Sequence, residues 1–84
     1  MKTNEILRAQ IFDIIKKQMM SNDPPETKQT FERLNRLGYS EQDAKMYIGQ
    51  CVAVELFNLL KYKKPFDEHR YITNLKKLPK EPFD

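Results

Sequence analysis

Among the side chains of this chain that could do chemistry, Glu55 has the most constrained position. It lies four residues after Cys51 and four before Leu59, so on a helix it shares a face with apolar residues. A carboxylate there must find a partner, reach an edge or accept a raised pKa. The expected partners are a lysine or arginine of the first helix, or the hydroxyl of Tyr47 or Tyr71. Structural networks perturb carboxylates as active sites do, and a structural hydrogen bond is the preferred reading of Glu55 as a buried polar site. Cys51 sits in the most apolar stretch, where a thiol is a small hydrophobe of undepressed reactivity. His69, the single histidine, stands beside Glu68. A general base works on a nucleophile, and no serine or cysteine accompanies His69 in a recognisable motif, so an exposed first-turn side chain is expected. One cysteine and one histidine are too few for a Cys/His zinc site. No catalytic residue, metal or other cofactor is expected, and the enzyme reading is set aside.

Charge offers a different chemistry. Through Leu59 the chain has eight basic and eight acidic side chains; from Leu60 onward there are seven basic against four acidic, so the net charge of +3 comes from the last 25 residues. Lys61, Lys63, Lys64, Lys76 and Lys77 form the candidate basic patch, and Tyr62, Phe66 and Tyr71 interleave with it in a way that could stack bases and neutralise phosphates. Strong phosphate binding recruits more basic groups than this, so a solvated surface over packed aromatics is preferred. No apolar run approaches the roughly 20 residues that span a bilayer, and no secretory leader is recognisable at the amino terminus. A cytoplasmic protein without membrane contact is expected.

The elements that must hold these residues are set by three helix-start signals: Asp23-Pro24-Pro25-Glu26, Ser40-Glu41-Gln42-Asp43 and Pro65-Phe66-Asp67-Glu68. They divide the 84 residues into four helices, at about 4–20, 24–37, 41–62 and 68–78, with a short tail 79–84. In the first helix Leu7, Ile11, Phe12, Ile14, Ile15 and Met19 recur at spacings of three and four, which makes one apolar face. Asp23 is expected to cap the second, with Pro24 at its first position. Thr27, Thr30, Phe31, Leu34 and Leu37 form its inner stripe, and Gly38 ends it. Ser40 caps the third with Asp43 reaching back. Asp67 caps the fourth, where Phe66 and Tyr71 have the spacing of a hydrophobic staple. The third helix is the longest, and its apolar residues cover more than half its circumference. The expected fold is a single all-α domain, a compact bundle of four helices with the long apolar third helix at the centre.

With these residues in view, the chain resembles a family of small bacterial helical domains of unknown function. Those domains are related to segments found as short stand-alone proteins or appended to SEC-C and plasmid-ORF-type modules. The resemblance rests on Asp23-Pro24-Pro25-Glu26, Gln29-Thr30, Arg33-Leu34, Gly38-Tyr39, Asp43, Ile48, Val52, Pro65-Phe66-Asp67, Arg70-Tyr71, Leu75 and Leu78-Pro79. It covers about two thirds of the chain. It implies a fold and no reaction. Relatives of this type often carry histidines in the first helix and near the start of the third; here those stretches read Leu7-Arg8-Ala9-Gln10-Ile11-Phe12 and Gln42-Asp43-Ala44-Lys45-Met46. Any histidine-based metal site of the family is not carried over.

Small domains without disulfide or metal often gain stability by burying apolar area between chains. The expected function is therefore a non-enzymatic protein-interaction module, acting through a second copy of itself or another protein. Val54, Leu56 and Leu60 are the expected interaction residues, because they lie away from the Ile48, Cys51 and Leu59 face that the shorter helices should cover. The alternative is a nucleic-acid-associated accessory protein using the basic carboxyl-terminal third.

Overall fold

Residues 2–83 are described by the structure, a computed structural model. Four helices form: α1 Lys2–Ser21, α2 Pro25–Arg36, α3 Glu41–Tyr62 and α4 Glu68–Lys77. No strand occurs among the described residues.

The helix ends follow local chemistry. Ser40 Oγ accepts the backbone N–H of Asp43 at 3.0 Å, and Asp67 Oδ1 accepts that of Arg70 at 3.0 Å; each satisfies one orphan donor of a first turn. The carboxylate of Asp43 makes no return bond to Ser40, so the expected capping box is only half built. Asp23 is not the cap of α2. The helix starts at Pro25, one residue later, with Pro24 at the cap position and no side-chain cap. Asp23 is already engaged in ending α1: Asn22 adopts a left-handed φ of 53°, and the N–H of Asp23 reaches back to the Gln18 carbonyl at 3.0 Å. α2 closes in the same way, through Gly38 at φ 103° and Tyr39 N–H to the Leu34 carbonyl. This six-to-one closure is the Schellman motif. α3 also ends on a left-handed residue, Lys63 at φ 57°, but there the Lys64 N–H reaches one residue further back, to the Asn58 carbonyl at 3.4 Å.

The core comprises Ile15, Leu34, Ala44, Ile48, Cys51, Val52, Tyr71, Leu75 and Leu78. α3 lies at the centre, packed by α1, α2 and α4, and α2 shares that place because it too touches all three others; the backbones of α1 and α4 stay apart, and the two helices meet through the side chains of Gln18 and Tyr71. Thr27, Thr30 and Leu34 of the expected α2 stripe are buried and Phe31 is half-buried, but Leu37 is exposed because it lies beyond the last helical turn.

Length decides what this bundle leaves bare. α1 and α3 have 20 and 22 residues, α2 and α4 only 12 and 10. At 1.5 Å per residue the long pair runs about 30 Å and the short pair about 15–18 Å. The amino-terminal half of α1 and the carboxyl-terminal half of α3 therefore overhang the short helices, and they lie beside each other.

Candidate functional site

Glu55 occupies the end of the buried part of α3, where the chain is about to turn into the loop before α4. Its side chain is 0% exposed against 38% for Arg70. Arg70 grips it with two bonds, Nε to Oε2 at 2.6 Å and Nη2 to Oε1 at 2.8 Å, and the backbone N–H of Asp67 donates to Oε1 at 2.9 Å. The bidentate geometry is the strong form of a carboxylate–guanidinium pair. The hydrogen bonds it donates to Glu55 also hold the Arg70 guanidinium above its ordinary pKa. The partner thus comes from α4, not from the first helix or from Tyr47 or Tyr71 as expected. Arg70 is available because the Asp67 cap fixes the first turn of α4 and points that residue back at α3. Three bonds on an inaccessible carboxylate leave no face for a substrate, so the pair serves as a clamp between α3 and α4.

A second polar cluster ties α1, α2 and α4 together. The Tyr71 hydroxyl donates to Gln18 Oε1 at 2.7 Å, and Thr27 Oγ1 donates to the same oxygen at 2.8 Å, with the two hydroxyls 3.1 Å apart. Two protons serve the one acceptor, so both hydroxyls are satisfied when Gln18 takes both. Burial pushes the Tyr71 phenol well above its ordinary pKa. The far end of α4 is held by Arg33, whose guanidinium donates to the carbonyls of Leu78 at 2.7 Å and Leu75 at 3.0 Å. α4, the shortest helix, is thus bonded at both ends by side chains of other helices. Neither Gln18 nor Arg33 stands out in the sequence; a basic residue facing another helix's last carbonyls is legible only once the packing is known.

The remaining candidates are placed simply. Cys51 is buried, and desolvation, with Glu55 adding to it, pushes its thiol up to about 12; this is an inert structural cysteine. His69 is exposed in the first turn of α4. No group of three or more His, Cys, Asp or Glu side chains converges among the described residues. Lys61, Lys63, Lys64, Lys76 and Lys77 are all exposed. They form two groups and not one: Lys61, Lys63 and Lys64 stand at the end of α3, Lys76 and Lys77 at the far end of α4, about 15 Å of helix away.

The surface that does gather is apolar. Leu7 and Ile11 of α1, Ala53, Leu56, Phe57 and Leu60 of α3, and Phe83 of the tail enclose a hollow of about 280 Å³. A second hollow of about 280 Å³ adjoins it, sharing Leu7, Ile11, Ala53 and Phe83 and continuing past Arg8, Met46 and Gly49. Together they make a groove along the α1/α3 seam. Leu60 is 68% exposed, Phe57 54% and Phe83 67%. Close approach of the two helices sets the groove floor at Gly49, where a Cβ would stand 3.2 Å from Ile11 Cγ2. The tail turns after Leu78, with the Lys80 N–H on the Lys77 carbonyl at 3.0 Å, and returns so that Phe83 joins the groove. Of the expected interaction residues, Leu56 and Leu60 line this groove. Val54 does not: two residues before Leu56, it lies about 160° around the helix from it and is half-buried elsewhere. Leu59, expected on the covered face, is 41% exposed. Leu7, expected only as part of the apolar face of the first helix, and Phe83 of the tail join Leu56 and Leu60 in the groove, and the length mismatch between helices is the signal that would have found Leu7.

No helix is long and apolar enough to cross a membrane among the described residues. Compared with protein-family models, curated proteins and solved structures, the chain matches none.

Proposed function

We propose that this protein is a non-enzymatic, cytoplasmic protein-interaction module that binds through the α1/α3 groove. One observation carries the reading: large apolar side chains from three separate segments, Leu7, Phe57, Leu60 and Phe83, are left exposed on a single surface. Scattered apolar residues are ordinary on a surface, whereas a contiguous cluster marks a binding site. The polar clusters support the same reading, because Glu55 and Tyr71 spend their hydrogen bonds on neighbouring helices. The nucleic-acid alternative keeps Lys61, Lys63 and Lys64 around Tyr62, without Lys76 and Lys77.

The test is sedimentation of the full chain, alone and with an uncharged amphipathic peptide of leucine and glutamine. A complex, with the peptide or with a second copy, is expected for the wild type and not for Leu60→Glu. A chain that stays at its monomer mass and binds no peptide overturns the proposal.

A further inference from the structure

Resting on the groove reading above, we infer that the occupant of the α1/α3 groove is an acidic amphipathic helix of another protein, its apolar stripe in the groove and its carboxylates on a basic rim. The rim is formed by Arg8 on α1 and Lys61 on α3. Arg8 lies over the Phe12 ring at 5.5 Å, and Lys61 over the rings of Phe57 at 5.2 Å and Tyr62 at 5.4 Å. Each side chain thus lays its aliphatic stem on an aromatic face and keeps its charge at the groove edge. Neither belongs to an ion pair among the described residues, where the pairs are Lys17 with Asp13 and Arg70 with Glu55. From Ala44 to Phe66 the chain has four basic residues and one acidic residue, and that acid is Glu55, buried and already paired. The α3 wall of the groove therefore presents positive charge with no acid of its own to answer it.

A second copy is the weaker occupant on the same grounds. A two-fold interface sets the same patch against itself, so it would bring two basic rims together. A helix with apolar residues at i, i+3 or i+4, and i+7 suits a two-helix groove, and flanking Asp or Glu complements the rim.

The experiment uses three peptides with one apolar stripe and flanks of glutamate, glutamine or lysine, each titrated against the full chain by fluorescence anisotropy. The glutamate peptide should bind about tenfold tighter than the lysine peptide, the sum of two exposed charge pairs. That preference should collapse in 0.5 M salt, as surface charge interactions do, and reverse in the double variant Arg8→Glu, Lys61→Glu. Both positions are at the surface, and a circular dichroism melt confirms that the variant is folded. If all three peptides bind equally, the groove reading stands and the acidic partner is overturned. If none binds, both are overturned. If the chain instead self-associates and excludes the peptides, a second copy is the occupant and the acidic helix is wrong.

Discussion

From Ala44 to Glu55, α3 buries six residues, Ala44, Ile48, Gly49, Cys51, Val52 and Glu55; from Leu56 to Tyr62 it buries none. Yet five of the seven residues in the second stretch are leucine or aromatic. Hydrophobicity does not distinguish the two halves. The supply of partners does. α2 and α4 are too short to follow α3 to its end, and Glu55, tied to Arg70 and Asp67, marks the level at which α4 begins. The same side-chain chemistry yields a core in one half and an unfilled groove in the other, so burial here is a property of neighbouring lengths. The boundary between core and groove is then a charged clamp, which holds α4 in place without covering the residues beyond it.

The sharpest way to break this comparison is to truncate one residue from each half. Ile48→Ala should cost about 3–4 kcal/mol, as large-to-small changes in a closed core do, whereas Leu60→Ala should stay within about 0.5 kcal/mol, as surface changes do. Urea melts of both variants measure it. Similar midpoint shifts would mean that the two halves are packed alike and that the groove is no surface at all.

The boundary itself comes next. Arg70→Ala leaves the Glu55 carboxylate buried with one donor, the Asp67 N–H, in place of three. Removing one partner of a buried pair costs several kcal/mol. Water can enter where the partly exposed Arg70 stood, so the expected loss is about 2–3 kcal/mol. Glu55→Gln should cost less, about 1 kcal/mol, because a freed guanidinium can turn to solvent while the amide oxygen keeps the Asp67 bond. Equal losses for the two variants would show that the clamp acts through packing and not through the buried charge.

These two sites also show how far the sequence could be read. The Ser40 and Asp67 caps and the Phe66–Tyr71 staple, whose rings meet edge to face at 5.3 Å, were legible because all their parts lie within six residues. Four helices follow from the same punctuation. The partner of Glu55 was not legible, since an acid four residues from core positions announces a need and not its answer; Arg70 answers it across a loop whose path periodicity does not specify. Asp23 misled for a related reason. It fits an N-cap by type, but its backbone N–H is used in ending α1 through Asn22, and α2 starts one residue too late for it to cap. Helical spacing alone places Leu37 and Leu59 among the inner residues, and both are exposed. A helical wheel has no information on where a partner helix stops.

A smaller effect separates the buried half by pH. Cys51 ionises near 9.0 when unfolded and about 12 in the fold, because burial disfavours the thiolate. A raised pKa means that its stabilising contribution is complete below pH 9 and is lost as pH rises toward 12, since the unfolded chain releases the proton first. The loss is about 1 kcal/mol by pH 10, and Tyr71, whose phenol is also raised by burial, adds to it at higher pH. Thermal melts from pH 7 to 10.5 should show a falling midpoint, shallower in Cys51→Ala after allowance for that variant's lower starting stability. A midpoint flat above pH 9 would mean that the thiol reaches solvent.

The smallest expected effect on stability carries the most weight for function. Leu60→Glu places a charge where the native side chain is already two-thirds exposed, so it forfeits little burial. The glutamate would sit in the last turn of α3, where a negative charge meets the negative end of the helix dipole at a cost of a few tenths of a kcal/mol. Lys61, Lys63 and Lys64 nearby offset part of that. The net change should therefore fall below about 0.5 kcal/mol, within the scatter of a urea melt. Peptide binding should nonetheless be lost, because the new carboxylate must be desolvated wherever an apolar stripe enters the groove. A variant that is as stable as the wild type and cannot bind would separate folding from recognition along one helix. A variant that unfolds would place Leu60 in the core, and the overhang of α3 beyond Glu55 would then be filled from within.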